Sequence, residues 1–380
     1  MLLHLFVSQG FQTGSSHYSI IRQRISMVIF KRVANKFSDE SQIEIYKLLD
    51  HFLNPTDPLN RKFVRIYACN TLRCMLQERF IKISNFLPYF PSILENIIVL
   101  LTKNLTLLES KSDVLDVLSV VVKRVRCNIA PYTDSIIQLL PILWDQSGDN
   151  HEMKCSILQT MTSLIRSMGK NSLECYPLAI SMLTILIDSG SKLVCYLLED
   201  ETMLWLVLME NVPAFNEDLL QLLPVLINII RYDPDLYINV LKILESYLLL
   251  DFEYVFQHYG QAIFELFAQY LLKVGDNRVL HMSKILDVVF QKNGTEIMAH
   301  GKQLLIDLGL FATLFDMLLN ENGTSFTNCI VILACFSRLA YANPNAFMQC
   351  VAATSIPTAY KEQHLDLSII VENDAVGGAT

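Results

Sequence analysis

Apolar residues recur along this chain with the spacing of α-helices, and the helical segments themselves recur about every 41 residues. The segment 138–143 returns as 221–226, 83 positions later, which is two such periods. The dipeptides Tyr259-Gly260 and His300-Gly301 lie 41 positions apart in similar surroundings. The sequence therefore predicts a chain built from repeated helical units.

Single segments have the pattern of amphipathic helices, and strand-like alternation is almost absent. In the segment 234–250, one face is apolar and the other carries Asn239, Lys242 and Glu245. We expect the helices in pairs. First helices should begin near Ile20, Arg61, Lys111, Asn150, Glu201, Pro234, Asn277 and Thr324, and second helices near Ser41, Tyr89, Pro131, Tyr176, Glu217, Val255 and His300.

A period of about 40 to 47 residues is typical of HEAT and armadillo repeats. The expected fold is therefore all-α, an α-solenoid or superhelix of HEAT/armadillo-like helix pairs. No linker rich in Pro, Gly or Ser divides the interior, so residues 20–350 should form a single solenoid of about seven to eight pairs. Residues 1–19 should be an irregular lead-in and residues 351–380 a flexible or incomplete tail.

One segment also has a HEAT-like local pattern. The Val64-Arg65 step is followed by Ala68 and Leu72 at helical spacing, and the small Ala68 would allow close packing of helices. In HEAT repeats an acidic residue commonly pairs with such an arginine. Asp57 is the nearest candidate, although it lies somewhat far upstream.

The composition is apolar for a chain without long apolar runs. Hydrophobic residues make up 52% and charged residues 18% of the chain, and the mean hydropathy is +0.34. The longest apolar runs, such as 97–101 and 330–336, are far shorter than the roughly 20 residues that cross a bilayer. We expect no membrane insertion. Stacked helix pairs explain the composition, because each pair buries its apolar face on its neighbours and leaves a long concave surface for partners.

No pattern of residues suggests catalysis. The chain has no phosphate-binding glycine loop, zinc-protease motif or nucleophile elbow, and its nine cysteines include no CxxC pair. We therefore expect no catalytic residue, no cofactor and no metal, and the chain should not be an enzyme. The net charge of -8 disfavours nucleic acid as a partner and favours basic proteins.

An acidic cluster, Glu199, Asp200 and Glu201, precedes Trp205 and allows two interpretations. In the first, Asp200 caps a helix, Glu201 favours its positive N-terminal end, and Trp205 fills the core between repeats. In the second, the carboxylates meet Lys or Arg of a partner and the tryptophan fills a pocket on it. The first is preferred because it accounts for every residue without a partner.

Trp144 and Asp145, at the end of a second helix, pose the same choice. A tryptophan next to a carboxylate suits either a packed helix end or a contact with a basic partner. Together with the acidic cluster and Trp205, these two residues are the candidates for partner binding.

The order of the segments 124–169, 176–188 and 194–213 resembles the later repeats of the importin-beta, or karyopherin, family. The upstream segments 22–37 and 63–90 are similar to the preceding repeats. The resemblance implies a receptor that shuttles between nucleus and cytoplasm and carries protein cargo through nuclear pores into the nucleus, under the control of the small GTPase Ran. The implied partners are the cargo, nuclear pore proteins and, in the full-length protein, the small GTPase Ran.

No segment resembles the importin N-terminal domain, which in this family supplies the principal Ran contacts. The chain is therefore expected to be a fragment that corresponds to the cargo-binding arch, and not to bind Ran independently. The alternative is a HEAT-repeat scaffold or adaptor that holds a multiprotein complex together. The two differ in GTP dependence, since Ran-GTP should release cargo from a receptor and leave a scaffold's complex intact.

Overall fold

The structure, a computed structural model, describes residues 38–58, 60, 62–188, 194–212, 217–232, 237–271, 273, 276–319 and 324–354. In these ranges the chain folds into helices joined by turns and contains no strand, and it divides into two compact units between Leu222 and Leu223. The predicted all-α fold of solenoid type is confirmed. None of the helices described is both long and apolar enough to cross a bilayer.

The first unit contains two layers of helices. Its long helices are α1 (Asp39–Leu53), α2 (Lys62–Gln77), α3 (Phe90–Val99), α4 (Leu108–Val125), α5 (Thr133–Ser147), α6 (His151–Met168), α7 (Tyr176–Asp188) and α8 (Val194–Asn211). Helices α2, α4, α6 and α8 pack side by side, whereas α1, α3, α5 and α7 form the second layer over them. Successive helices contact each other more extensively in the first of these layers. We call it the inner layer.

Helices α4 and α6 of the inner layer run parallel. The hydroxyls of Ser119 and Ser163 lie 2.9 Å apart, and Ser167 donates a hydrogen bond of 3.1 Å to the carbonyl of Val122. The partners are 44 and 45 positions apart in the two pairs. Since this offset hardly changes along the helices, the sequence period corresponds to one helix pair.

Helix α4 is buried on most of its surface because α2 and α6 flank it. Seven of its apolar side chains are 0 to 1% exposed, namely those of Val114, Leu115, Val117, Leu118, Val121, Val122 and Val125. Burial stabilises this arrangement by about 25 cal/mol per Å² of apolar surface. The side-by-side stacking of inner-layer helices therefore supplies much of the core.

Polar side chains determine where several helices begin. Ser38, Asn150, Asp251, Ser325 and Asn343 each accept a hydrogen bond from the backbone N–H three residues later. Such caps satisfy amides that have no partner inside the helix. Most of the predicted helix starts that lie in the described ranges fall close to those observed, and the predicted start near Ile20 lies outside those ranges.

The second unit contains α9 (Leu223–Tyr232), α10 (Tyr237–Leu250), α11 (Phe252–Tyr270), α12 (Asp276–Glu296), α13 (Lys302–Asp307), α14 (Leu310–Leu319), α15 (Phe326–Ala342) and α16 (Pro344–Ala353). Helices α10, α12 and α15 pack in sequence, and Arg338 on α15 makes a two-pronged ion pair of 2.5 and 3.2 Å with Asp287 on α12. Helix α16 was not predicted. That residues 20–350 form one continuous solenoid stays a prediction. The lead-in 1–19 lies outside the described residues. Of the predicted tail 351–380, residues 351–353 form the end of α16, and the part beyond Thr354 lies outside the described residues.

Arg65 joins three helices of the first unit. It is 3% exposed, and its Nε donates to the carbonyl of Leu53 at 3.0 Å while a terminal nitrogen donates to the carbonyl of Asn96 at 3.2 Å. Leu53 is the last residue of α1, where backbone acceptors lack helical partners. Asn96 lies in the last turn of α3, and its carbonyl also accepts a hydrogen bond from the backbone N–H of Leu100. Asp57, the candidate partner from the sequence, lies 3.5 Å from His51 instead. Arg65 therefore donates hydrogen bonds to main-chain carbonyls and does not pair with Asp57.

We expect Arg65→Ala to destabilise the first unit by about 3 kcal/mol, because two buried carbonyls lose charged donors. Urea denaturation followed by circular dichroism measures this as a lower midpoint. Arg79→Ala is the matched control, since Arg79 is an exposed arginine just beyond the end of α2. Equal midpoints for the two variants would contradict the assigned role.

Candidate partner-binding surfaces

A groove of about 330 Å³ crosses the exposed face of the inner layer in the first unit. It reaches from α2 over α4 and α6 to α8. Its polar lining consists of Arg73, Gln77, Asp116, Ser119, Lys123, Gln159, Thr162, Ser163, Arg166 and Asp200. We call it the polar groove.

Two carboxylates of the polar groove are held by neighbouring helices. Asp116 on α4 lies 3.4 Å from Arg73 on α2 and accepts a hydrogen bond of 2.9 Å from Ser156 on α6. Asp200 on α8 accepts one of 3.0 Å from Gln159 on α6. Each contact joins adjacent helices of the layer. The carboxylates are therefore fixed in position before any partner binds.

The negative charge of Asp200 contributes to raising the pKa of Asp116. Burial raises the pKa of Asp116, the hydrogen bond from Ser156 and the charge of Arg73 lower it, and the charges of Asp113 and Asp200 raise it. Asp200 and Asp116 thus belong to one acidic row across the inner layer. A cation brought by a partner would relieve this repulsion.

A basic row runs parallel to the acidic one. Lys123 and Arg166 follow Asp116 and Gln159 by seven positions on their helices, which places them about 10 Å farther along the axes. Lys123 is exposed, and the Arg166 guanidinium lies 3.5 Å from the sulfur of Met203. The polar groove therefore carries its carboxylates on one side, where Arg73 is paired with Asp116, and only cations on the other side.

The candidate partner-binding residues on α8 fall into a buried group and a group at the surface. Trp205 is 1% exposed and lies in the core, so the preferred structural interpretation of this tryptophan is confirmed. Glu201 is also buried, at 4% exposed. Asp200 lines the polar groove, and Glu199 is exposed on the same helix.

The prediction that Asp200 caps a helix, and that a helix begins near Glu201, is wrong. Helix α8 begins at Val194, so both residues lie within it. Leu197 and Leu198 are buried and extend the packed face of α8 upstream of the acidic cluster. The burial of these leucines outweighs the preference of Asp and Glu for the first turn of a helix. Asp200 accepts a hydrogen bond from Gln159 of the neighbouring helix instead.

Trp144 and Asp145 lie elsewhere, on α5 of the second layer. Trp144 is half-buried, and the ammonium of Lys154 lies 5.4 Å from the centre of its ring. Asp145 is exposed. The structure therefore does not bring these two residues into the groove that contains Asp200.

The sequence analysis missed Arg73, Asp116, Lys123 and Arg166. A signal for them exists, because Arg73 and Asp116 are 43 positions apart and so are Lys123 and Arg166. Those separations equal one repeat. Aligning polar residues by the repeat period would have placed them on one face.

A second groove, of about 350 Å³, lies in the second unit between α11 and the turn that joins α12 to α13. We call it the aromatic groove. Phe252, Phe256, Gly260 and Phe264 line it at four-residue intervals along α11, so they share one helix face. The opposite wall includes Asn293, Ile297, His300, Gly301 and Leu304.

The rings in the aromatic groove are packed against one another. Phe252 and Phe256 are stacked at 5.3 Å between centroids, and Phe256 meets Phe264 edge-on at 5.9 Å. A Cβ atom at Gly260 would come within 3.0 Å of the Phe256 ring. The glycine therefore allows this ring to lie against the helix and leaves space beside it. An apolar side chain of a partner suits such a wall.

Titratable groups do not assemble into a reactive centre in the parts of the chain that the structure describes. No three His, Cys, Asp or Glu side chains come near enough there to hold a metal ion. Both grooves present binding chemistry, with fixed charges in one and aromatic rings in the other.

Residues 155–372 match the family model described as importin-11-like, TPR repeats. The chain is 27% identical to importin-11 of Mus musculus over 282 residues, which are 74% of this chain and 28% of that protein. It is 26% identical to the importin beta-like protein KAP120 of Saccharomyces cerevisiae over 393 residues, covering 98% of this chain and 38% of the relative. The chain thus spans less than two fifths of the length of these relatives.

Among solved structures, that of Lph2, a bidirectional nuclear transport receptor of S. cerevisiae, is similar with a TM-score of 0.77 and 24% identity. The match covers 92% of this chain and 36% of that chain. At this identity the likeness concerns the fold. It agrees with the stacked helix pairs of both units.

The burial of Glu201 generates a prediction about pH. Burial, and secondarily the charge of Asp200, raises the pKa of Glu201 from 4.5 to about 7, and its Oε1 makes no hydrogen bond within the described residues. Between these values the unfolded chain loses its proton while the folded chain keeps it. Stability therefore falls as the pH rises from 4.5 to 7, and the penalty is complete above 7.

We expect Glu201→Gln to remove this penalty. The gain in unfolding free energy should grow from near zero at pH 4.5 to about 3 kcal/mol at pH 8, measured by urea denaturation at several pH values. Glu199→Gln, an exposed carboxylate on the same helix, serves as control. A gain that does not vary with pH would contradict the account.

Proposed function

Since the chain belongs to the importin-11-like family, we propose that it forms the cargo-binding arch of a nuclear transport receptor. The resemblance to the importin-beta family that the sequence suggested is therefore confirmed. Its relatives are transport receptors, so the chain is not an enzyme, as the sequence also predicted. Transport of cargo by the whole protein is our proposal, with movement between nucleus and cytoplasm as its consequence.

The polar groove is the observation that carries this proposal. It lies on the inner layer of the first unit, crosses four helices, and presents Asp116 and Asp200 held by hydrogen bonds from adjacent helices. Preorganised carboxylates favour binding because little side-chain entropy is lost. We assign basic side chains of protein cargo to these carboxylates, and Glu199 to the rim. Trp144 and Asp145 remain a proposed second contact.

The aromatic groove suits a different partner. Nuclear transport requires contact with the proteins that line the pore, and weak contacts through apolar side chains allow rapid release. We propose that apolar side chains of pore proteins enter beside Phe256. The two grooves are lined by different helices, so cargo and pore proteins would contact different residues.

Control by Ran belongs to the longer protein. None of the segments of this chain resembles the domain that supplies the principal Ran contacts in the family, so Ran-GTP is proposed to act through other parts of the receptor. The alternative function is a scaffold or adaptor. Both use the same exposed face of the inner layer, and they differ in whether GTP-bound Ran releases the partner.

To test the receptor function, the protein that carries this chain is immobilised and loaded with a cytosolic extract. We expect Ran-GTP to elute bound proteins that Ran-GDP leaves in place, as identified by mass spectrometry. The reason is that a receptor binds cargo and Ran-GTP with opposite preference, whereas a scaffold has no such coupling. The same elution profile with both nucleotides would favour the scaffold.

For the aromatic groove, we expect Phe256→Ala to weaken binding of purified pore proteins at least fivefold, because the ring that stacks on Phe252 and meets Phe264 edge-on is lost. Surface plasmon resonance measures this change. Phe326→Ala is the control, since Phe326 is 81% exposed on the same unit and lies outside the groove. An equal loss of binding in both variants would refute the assignment.

A further inference from the structure

We propose that the polar groove takes an extended peptide segment with alternating basic and acidic side chains. This inference rests on the proposed function and names the kind of cargo segment that the groove recognises. Four observations carry it: the two rows of opposite charge, their separation, the hydroxyl groups between them, and the fixed positions of the carboxylates.

The charged side chains of the polar groove disfavour a peptide segment that carries charges of only one sign. A uniformly basic segment would meet Asp116 and Asp200 but also lie against Lys123 and Arg166, and a uniformly acidic one would meet the reverse conflict. Like charges brought together cost free energy, which is how such sites discriminate against wrong partners. A segment with both signs satisfies both rows only if its basic and acidic side chains point to opposite sides.

An extended backbone has this property. Successive side chains of a strand point to opposite faces, and those on one face are about 7 Å apart. Alternation of basic and acidic residues therefore places all cations on one side and all carboxylates on the other. The rows of the groove, about 10 Å apart along the helix axes, can then each receive one side.

The strip between the rows can bind the peptide backbone. Ser119 and Ser163 lie three residues after Asp116 and three before Arg166 respectively, and their hydroxyls are 2.9 Å apart. Each hydroxyl can donate one hydrogen bond and accept two. An extended peptide needs such groups for its amides and carbonyls.

The carboxylates keep capacity for a further partner. An ionised carboxylate has about four acceptor sites, whereas Asp116 uses contacts with Arg73 and Ser156, and Asp200 uses contacts with Gln159 and the Cys155 thiol. Lysine or arginine side chains of the segment can therefore add hydrogen bonds without breaking those that hold the row in place.

The experiment compares two labelled ten-residue peptides of the same composition. One alternates lysine and glutamate, and the other has five lysines followed by five glutamates. Binding to the protein is measured by fluorescence anisotropy at low and at physiological salt. We expect the alternating peptide to bind at least tenfold more tightly, and the difference to shrink with salt because exposed charges are screened.

The variant Lys123→Glu/Arg166→Glu makes both rows acidic without removing a carboxylate. It should bind the alternating peptide at least tenfold more weakly than the parent and bind decalysine more tightly. Arg79→Glu is the control, because Arg79 is exposed and does not line the groove. Circular dichroism verifies that all variants fold.

Equal affinity for the two peptides, no binding of either, or no effect of the double variant would each overturn the inference. The peptide experiment and the Ran-GTP elution can fail independently of each other. If Ran-GTP still elutes cargo while the alternating peptide fails, only the proposed recognition in the polar groove is wrong. If the peptide binds and Ran-GTP elutes nothing, the groove is that of a scaffold.

Discussion

The side-by-side packing of helices in the inner layer is the constraint on which the first unit depends. Helix α4 can bury its valines and leucines only because α2 and α6 flank it, so each helix requires its neighbours. The same packing fixes the register between helices. Polar residues that lie one repeat apart, such as Lys123 and Arg166, are thereby aligned into rows on the one face that stays exposed.

Much of this fold could be predicted from the sequence, because helical periodicity and the 41-residue period depend on residues near each other or at a fixed separation. The burial of Trp205 followed from the same reasoning. The predicted cap at Asp200 was wrong because the start of this helix depends on the packing of Leu197 and Leu198 against other helices, which the local sequence does not show. The grooves were missed because their residues come from different helices, and only the register between helices brings them together.

The arrangement of charge follows from helix direction. In α4, Glu109, Asp113 and Asp116 occupy the first half, whereas Lys123 and Arg124 lie in the last turn, as the helix dipole favours. Because α4 and α6 run parallel, their ends coincide, and the layer gains an acidic and a basic side. A feature that stabilises single helices thus also gives the exposed face of the inner layer a charge distribution that a partner can recognise. The net negative charge of the chain does not reveal this distribution.

The central claim, that the chain serves nuclear transport, can be tested by the rate at which the fluorescent protein enters nuclei of permeabilised cells. An inert protein of equal mass provides the reference for passive diffusion. A transport receptor contacts the pore proteins and should enter several-fold faster than the reference, with Phe256→Ala reducing the advantage. Entry at the same rate as the inert protein would contradict the account and leave a static scaffold as the function.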